Sequence, residues 1–190
     1  MKKNLRIIAL AVFILPISMQ AQELRLKTGT VVHHNQNLPT NQTWQGRNYF
    51  ILQFKNTPSQ SERKQILQTG IRLMGYLPDY AYYASAPIGY NIQQLKPWLH
   101  ACIPLSTDIK MASALVVNDI PTHAKRGNNV ALTLKLHDDV LLLPLLKDLQ
   151  KSVVEIENYQ TDFNTLQVIA SVSKLNEIAK LPYIQFVEPI

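Results

Sequence analysis

Histidine is the residue type in this chain whose spacing comes nearest to a metal site. His33 and His34 are adjacent, but neighbouring side chains of an extended segment point to opposite sides. His100, His123 and His137 are far from this pair in the sequence, and no acidic residue accompanies the pair. A zinc site needs three or four converging ligands. The sequence therefore predicts no metal and no other cofactor.

A second group that could do chemistry is His137-Asp138-Asp139, a possible acid–base cluster. It directly precedes a segment with helical periodicity, where an aspartate often accepts hydrogen bonds from the first N–H groups of a helix. This position favours capping by Asp138 or Asp139 over catalysis.

The single cysteine, Cys102, excludes an intramolecular disulfide. A lone cysteine is more often a small buried apolar residue than a reactive thiol. The fold must therefore depend on side-chain packing rather than on disulfides.

The first 21 residues have the three parts of a secretory signal peptide. Lys2, Lys3 and Arg6 precede an apolar run over 7–17, and a small-residue stretch ends at Ala21. The apolar run is too short to span a bilayer, which needs about 20 residues. The sequence predicts cleavage between Ala21 and Gln22, export to the periplasm or the extracellular space, and no membrane association afterwards.

The charge distribution argues against a nucleic-acid partner. Removal of residues 1–21 lowers the formal net charge from +6 to +3, since it takes away three of the nineteen basic residues and no acidic one. The remaining basic residues are scattered and form no stripe or cluster. Residues 22–125 have a basic balance and residues 126–190 a slightly acidic one.

Beyond a flexible leader over residues 22–47, the chain shows one order of elements twice, as residues 48–113 and 129–190 joined by a linker over 114–128. The expectation for the first copy, from alternation, capping residues and turn residues, is as follows: strand Tyr49–Lys55, a helix opened by Thr57-Pro58 and closed by Gly70, strand Ile71–Leu77, turn Pro78-Asp79, strand Ala81–Ala86, helix Asn91–His100 and strand Ile103–Met111. For the second copy we expect strand Val130–Leu136, a helix with Val140, Leu143, Pro144, Leu146 and Leu149, strand Val153–Glu157, turn Asn158–Asp162, strand Leu166–Ala170, a helix capped by Ser171 or Ser173 and ended by Pro182, and strand Ile184–Val187.

This βαββαβ order, repeated, predicts an α+β protein made of two tandem ferredoxin-like domains. Because β-α-β crossovers are right-handed, both helices of such a unit lie on one face of its antiparallel sheet. The other face is left uncovered. A unit of about 60 residues is marginally stable alone, so the uncovered face is expected to find a partner.

The second copy resembles a known family at its end. Ser171 or Ser173, then Leu181-Pro182-Tyr183-Ile184, then Val187-Glu188-Pro189, are similar to the last third of the propeptides of secreted subtilisin-like serine proteases. The segment over 49–87 resembles the leading unit of larger, fervidolysin-like propeptides.

This resemblance implies an intramolecular chaperone and temporary inhibitor whose partner is a subtilisin-like catalytic domain, in cis or in trans. It implies that Glu157 and Asp162 cap helix N-termini of the protease, where anionic groups are favoured. It also implies that the end of the chain, with Val187, Glu188, Pro189 and Ile190, reaches the substrate cleft.

The catalytic motifs of subtilases are not in this sequence, since it has no His-Gly-Thr, no Gly-Thr-Ser-Met and only six glycines. We therefore expect the chain itself not to be an enzyme. It would be the front part of a longer precursor, a truncated product, or a free-standing exported inhibitor or interaction module.

Overall fold

The computed structural model describes residues 23–32 and 37–190. The predicted cleavage site at Ala21 and Gln22 lies outside these residues, as does the pair His33-His34. The described chain is α+β, with one two-stranded and two five-stranded sheets whose named strands all pair antiparallel. None of the helices in these residues has the length and apolar character needed to cross a membrane.

The N-terminal unit begins with a short hairpin, β1 to β2, and continues with a sheet, one α-helix and one 3₁₀ helix. Its elements are β1 (Leu24–Leu26), β2 (Gly29–Val31), β3 (Thr43–Trp44), β4 (Arg47–Phe54), α1 (Gln60–Gln68), β5 (Arg72–Leu77), β6 (Ala81–Pro87), the 3₁₀ helix Ile92–Leu95 and β7 (Leu99–Pro104).

The C-terminal unit repeats this arrangement after two short helices. These and its own elements are α2 (Thr107–Lys110), α3 (Ser113–Val116), β8 (Lys125–Arg126), β9 (Asn129–Leu136), α4 (Leu142–Leu149), β10 (Glu155–Gln160), β11 (Thr165–Ser171), α5 (Leu175–Lys180) and β12 (Ile184–Pro189).

The two units share a strand order and a leading hairpin. The order is β5-β6-β4-β7 in the N-terminal unit and β10-β11-β9-β12 in the C-terminal unit. In each, a two-residue strand, β3 or β8, pairs with the start of the central strand through a tight turn. Gly46 and Gly127 occupy these turns with φ of 79° and 63°, a left-handed conformation that glycine adopts without strain.

Alternation along the central strands divides their side chains between two faces. Phe50, Leu52 and Phe54 of β4 pack with Ile66 of α1 in the core of the N-terminal unit. The corresponding core of the C-terminal unit joins β9 and β11 to α4 and α5, through residues such as Leu134 and Leu145. Each unit therefore has its own helix-covered core.

Helix α1 begins at a different cap from the predicted one. Ser59, not Thr57, is the N-cap: its hydroxyl accepts from the Glu62 N–H at 3.3 Å, and Glu62 accepts from the Ser59 N–H at 2.7 Å. This reciprocal capping box satisfies two unpaired donors at once. The predicted end is confirmed, because Gly70 follows the helix with φ of 97°.

The end of the first copy differs from the prediction. The expected helix Asn91–His100 is only the four-residue 3₁₀ helix Ile92–Leu95, since Pro97 has no N–H with which to continue the hydrogen bonding of a helix. The chain becomes extended at Leu99, so the expected strand Ile103–Met111 is wrong at both ends. Residues 107–110 form α2 instead.

The start of α4 also corrects a prediction. Its N-cap is Leu141, without a side-chain hydrogen bond, so neither Asp138 nor Asp139 caps it. Pro144 lies in the first turn of this helix, where proline is tolerated. Ser171 and Ser173 hydrogen-bond each other at 2.9 Å and do not cap α5 through their side chains.

The second strand of this unit, predicted over Val153–Glu157, instead runs from Glu155 to Gln160. It occupies most of the predicted turn Asn158–Asp162. The reason is that the chain turns later than predicted, at Thr161–Phe163 and at Asn164, which has a left-handed φ of 49°. A register shift between Ile156 and Asn158 also leaves Glu157 as an extra residue opposite β11.

The segments predicted as leader and linker are folded where the structure describes them. Leu24 of β1 is fully buried against the N-terminal sheet. Met111, Leu115 and Ile120 pack into the core of the C-terminal unit, and Met111 forms a parallel bridge with Val187. The connection between the two units therefore belongs to the packing of the second.

Candidate partner-binding surface

The N-terminal sheet is covered on both faces. Opposite its helices, Tyr49, Ile51 and Tyr83 form a cluster with Leu24 of the β1–β2 hairpin and Ile109 of α2. The hairpin is fixed by Arg25, whose guanidinium donates to the Asp79 carboxylate at 2.6 and 3.1 Å. These hydrogen bonds lower the pKa of Asp79. The sequence pattern predicted that this face would be uncovered. That prediction is wrong for the N-terminal sheet, because the hairpin and α2 cover the face.

The C-terminal unit completes this covering through residues 137–140, in a contact zone that we call the junction. Asp139, only 8% exposed, lies 3.2 Å from Arg47 Nε and 3.5 Å from Arg72. It also accepts a hydrogen bond from Ser85 Oγ at 2.5 Å. All three partners belong to the N-terminal sheet, so this carboxylate ties the two units together.

Two bases are buried in the same junction. The His137 ring stacks on Tyr49 with centroids 4.5 Å apart, and neither ring nitrogen has a hydrogen-bond partner among the described residues. Lys110 is fully buried, and its Nζ donates to the Leu181 carbonyl at 2.7 Å and to Gln42 Oε1 at 3.1 Å. Burial lowers the pKa of Lys110 to about 7. It also lowers the pKa of His137 well below its ordinary value, with a further decrease from the Lys110 charge.

The C-terminal sheet differs, because the face opposite its helices contributes to none of the three hydrophobic clusters of the described residues. Strand register places its side chains in rows across β10, β11, β9 and β12. We call this surface the open face: Ala131, Thr133, Lys135, Glu155, Asn158, Gln160, Thr165, Gln167, Ile169, Phe186 and Glu188. It is mainly polar, with a small apolar centre at Ala131 and Ile169, which are only 2% and 9% exposed.

Strands β10 and β11 form a hairpin at the free edge of the sheet, next to the open face, and we call it the acidic hairpin. Strand β10 pairs only with β11 in the described chain. The segment over 152–173 contains Glu155, Glu157 and Asp162 and no basic residue. The structure places Glu157 at the bulge and Asp162 in the 3₁₀ turn Thr161–Phe163, and both are exposed.

Phe163, at the tip of this hairpin, is a candidate that the sequence prediction missed. Its ring is 67% exposed beside Asp162. The Lys135 ammonium donates to the Phe163 carbonyl at 2.6 Å and fixes the tip over the sheet. The sequence did contain a signal for this candidate, namely an aromatic residue within an otherwise polar turn. An exposed ring adds no stability to a turn, so its presence there indicates a binding role.

The predicted residues at the chain end fall into two groups. The Val187 side chain is fully buried in the helix-covered core, so it cannot contact a partner. Glu188 projects from the open face, 4.0 Å from Lys27. Pro189 is half-buried, and Ile190 is 38% exposed while its N–H donates to the Ala131 carbonyl. Only the residues after Val187 are placed to continue toward another molecule.

A groove of about 350 Å³ lies where one end of the open face meets the N-terminal half of the chain. Tyr76 and Leu77 of β5 form one wall, and Phe186 and Lys135 form the other. Lys27, on the hairpin, lies 5.6 Å from the Phe186 ring centroid. The rest of the open face, toward Glu155 and Gln167, lies away from this groove.

Comparison with known proteins assigns no activity to this surface. Residues 25–106 match a family described as a domain of unknown function, DUF8729. This match begins in β1 and ends just after β7, so the hairpin belongs with the N-terminal unit. No curated protein and no solved structure matches the chain significantly.

Proposed function

We propose that this chain is the exported propeptide region of a subtilisin-like serine protease, which it helps to fold and temporarily inhibits. In this proposal the catalytic groups belong to the protease, in cis or in trans. The chain supplies the binding surface and no catalytic residue. Each unit is then a ferredoxin-like domain, and the shared strand order, with two helices on one face, supports that assignment.

The asymmetry between the two sheets is the observation that carries the proposal. The N-terminal sheet is buried on both faces by its own chain, whereas the C-terminal sheet keeps its open face and the acidic hairpin. The second unit is therefore the one that binds the protease, and the first supports it through the junction.

Charge complementarity explains how the acidic hairpin contributes. Exposed helix N-termini carry unpaired N–H groups and a partial positive charge, which favour a nearby carboxylate by about 0.3–1 kcal/mol each. Glu157 and Asp162 are exposed at the edge of the open face. In the proposed complex they lie against helix N-termini of the protease, and residues after Val187 lead toward its cleft.

The proposal is tested by inhibition of a purified bacterial subtilisin with the full chain, measured as loss of peptide hydrolysis. The double variant Glu157→Gln/Asp162→Asn should bind roughly 3- to 30-fold more weakly, because it removes two such interactions. Asp119→Asn is the matched control, since Asp119 is exposed but lies outside the C-terminal sheet. It should inhibit as well as the parent chain.

Two results would contradict the proposal. One is a chain that neither inhibits the protease nor accelerates the refolding of its denatured catalytic domain. The other is inhibition that the double variant leaves unchanged, which would reject the acidic hairpin as a contact. Stable binding to another exported protein, without inhibition, would favour a free-standing interaction module.

A further inference from the structure

We propose that the junction is an acid-sensitive latch: below neutral pH the N-terminal sheet separates from the C-terminal unit while both units stay folded. This device is independent of protease binding and concerns how the two units are held together. It rests on the position of Lys110 and His137, two buried bases in the contact between the units.

Within residues 23–32 and 37–190, no group accepts a hydrogen bond from the His137 ring. Both ring nitrogens are buried without a partner, and the ring lies between Tyr49 at 4.5 Å and Tyr83 at 6.0 Å. A buried charge without a partner is costly. Protonation of His137 therefore destabilises the closed junction.

The charged groups around His137 add to this effect. Lys110 of α2 and Lys135 of β9 both disfavour a second positive charge there. In the described part of the chain, the hydrogen-bond partners of Lys110 are two neutral oxygens, Gln42 Oε1 and the Leu181 carbonyl. The carboxylate of Asp139 is engaged with Arg47 and Arg72.

The direction of the pH dependence follows from linkage. A base whose pKa is lower in the closed state than in the open state binds protons preferentially when open, so acid favours opening. For Lys110, the closed junction loses stability as the pH falls from the ordinary pKa of 10.5 to the lowered pKa of about 7. For His137, the closed junction loses stability as the pH falls below the ordinary pKa of 6.5.

We expect the two units to separate without unfolding, because neither helix-covered core includes the two buried bases of the junction. Phe50 and Ile66 belong to one core and Leu134 and Leu145 to the other. Lys110 and His137 both lie at the boundary between the units. Protonation therefore weakens the contact between the units before it weakens either unit.

Trp44 provides a direct probe, since its ring packs edge-on against Tyr183 of the C-terminal unit at 4.7 Å. In the full chain with Trp98→Phe, Trp44 is the only tryptophan. Its emission should shift to longer wavelength between about pH 6.5 and pH 5, while far-ultraviolet circular dichroism stays constant. This range lies above the ordinary titration of carboxylates.

Substitutions in the same background identify the responsible groups. His137→Phe keeps an aromatic ring against Tyr49 and should move the transition at least about one pH unit lower. Lys110→Met should also lower the midpoint, because it removes the positive charge beside His137. His123→Gln replaces an exposed histidine and should leave the midpoint unchanged.

The latch is overturned if Trp44 emission does not change over this range, or if circular dichroism is lost together with it. It is also overturned if His137→Phe and His123→Gln have the same midpoint. Should His137→Phe not fold, Lys110→Met decides: an unchanged or higher midpoint rejects the latch.

Discussion

Replacement of Asp139 should separate a role in the junction from a role in helix capping. In Asp139→Ala the chain loses a carboxylate that lies 3.2 Å from Arg47 and accepts from Ser85 Oγ. Removing one partner of a buried ion pair costs about 3–5 kcal/mol. Arg47 keeps hydrogen bonds to the Gly70 and Ser85 carbonyls at 2.9 and 3.0 Å. We therefore expect the lower end of that range, about 3 kcal/mol.

The assay is equilibrium unfolding in urea, with the free energy of unfolding taken from the midpoint and slope. Asp138→Ala is the matched control, because Asp138 is exposed and lies 3.7 Å from Lys135 in a surface pair. Its replacement should change the free energy of unfolding by less than about 0.5 kcal/mol. A double-mutant cycle with Arg47→Met should give a coupling energy of about 1–3 kcal/mol.

The capping hypothesis leads to different values. If either aspartate capped α4, its loss would cost about 1 kcal/mol and would not couple to Arg47. Equal effects of the two alanine substitutions, or a coupling energy near zero, would refute the junction role of Asp139.

Two further predictions concern the N-terminal unit. Ser59→Ala should lower the free energy of unfolding by about 1 kcal/mol, because it removes the cap of α1. The control Thr57→Ala should change the free energy of unfolding by less than about 0.5 kcal/mol. Equal losses for the two variants in urea unfolding would reject Ser59 as the cap. Burial raises the pKa of the Cys102 thiol from 9.0 to about 12, so at pH 8 its reaction with a thiol reagent should be roughly a thousandfold slower than in the urea-unfolded chain. Comparable rates in the two states would show that Cys102 is accessible.

The sequence was most informative where local chemistry decides the structure. Alternation predicted β4 and β9 to within two residues at each end, and Gly70 predicted the end of α1. The cap at Ser59 was also visible as Ser-x-x-Glu. Thr57-Pro58 competed with it, because both are typical of helix starts.

The remaining features depend on contacts between distant residues. Asp139 precedes a helix and so has the local signal of a cap, but its partner Arg47 lies 92 positions earlier in the chain. Strand β10 occupies most of a predicted turn and has a bulge at Glu157, and neither its pairing with β11 nor a bulge leaves a clear signal in a single strand. Which sheet face stays open could not be predicted, because the β1–β2 hairpin lies in a segment without clear periodicity.

The most direct test of the proposed function is hydrogen exchange of the full chain alone and mixed with a catalytically inactivated bacterial subtilisin. We expect the protease to slow amide exchange in β10, around Glu157 and Asp162, and at the end of β12. Exchange in α1 and α4 should be unchanged. No protection, or protection confined to the helical faces, would contradict binding through the open face.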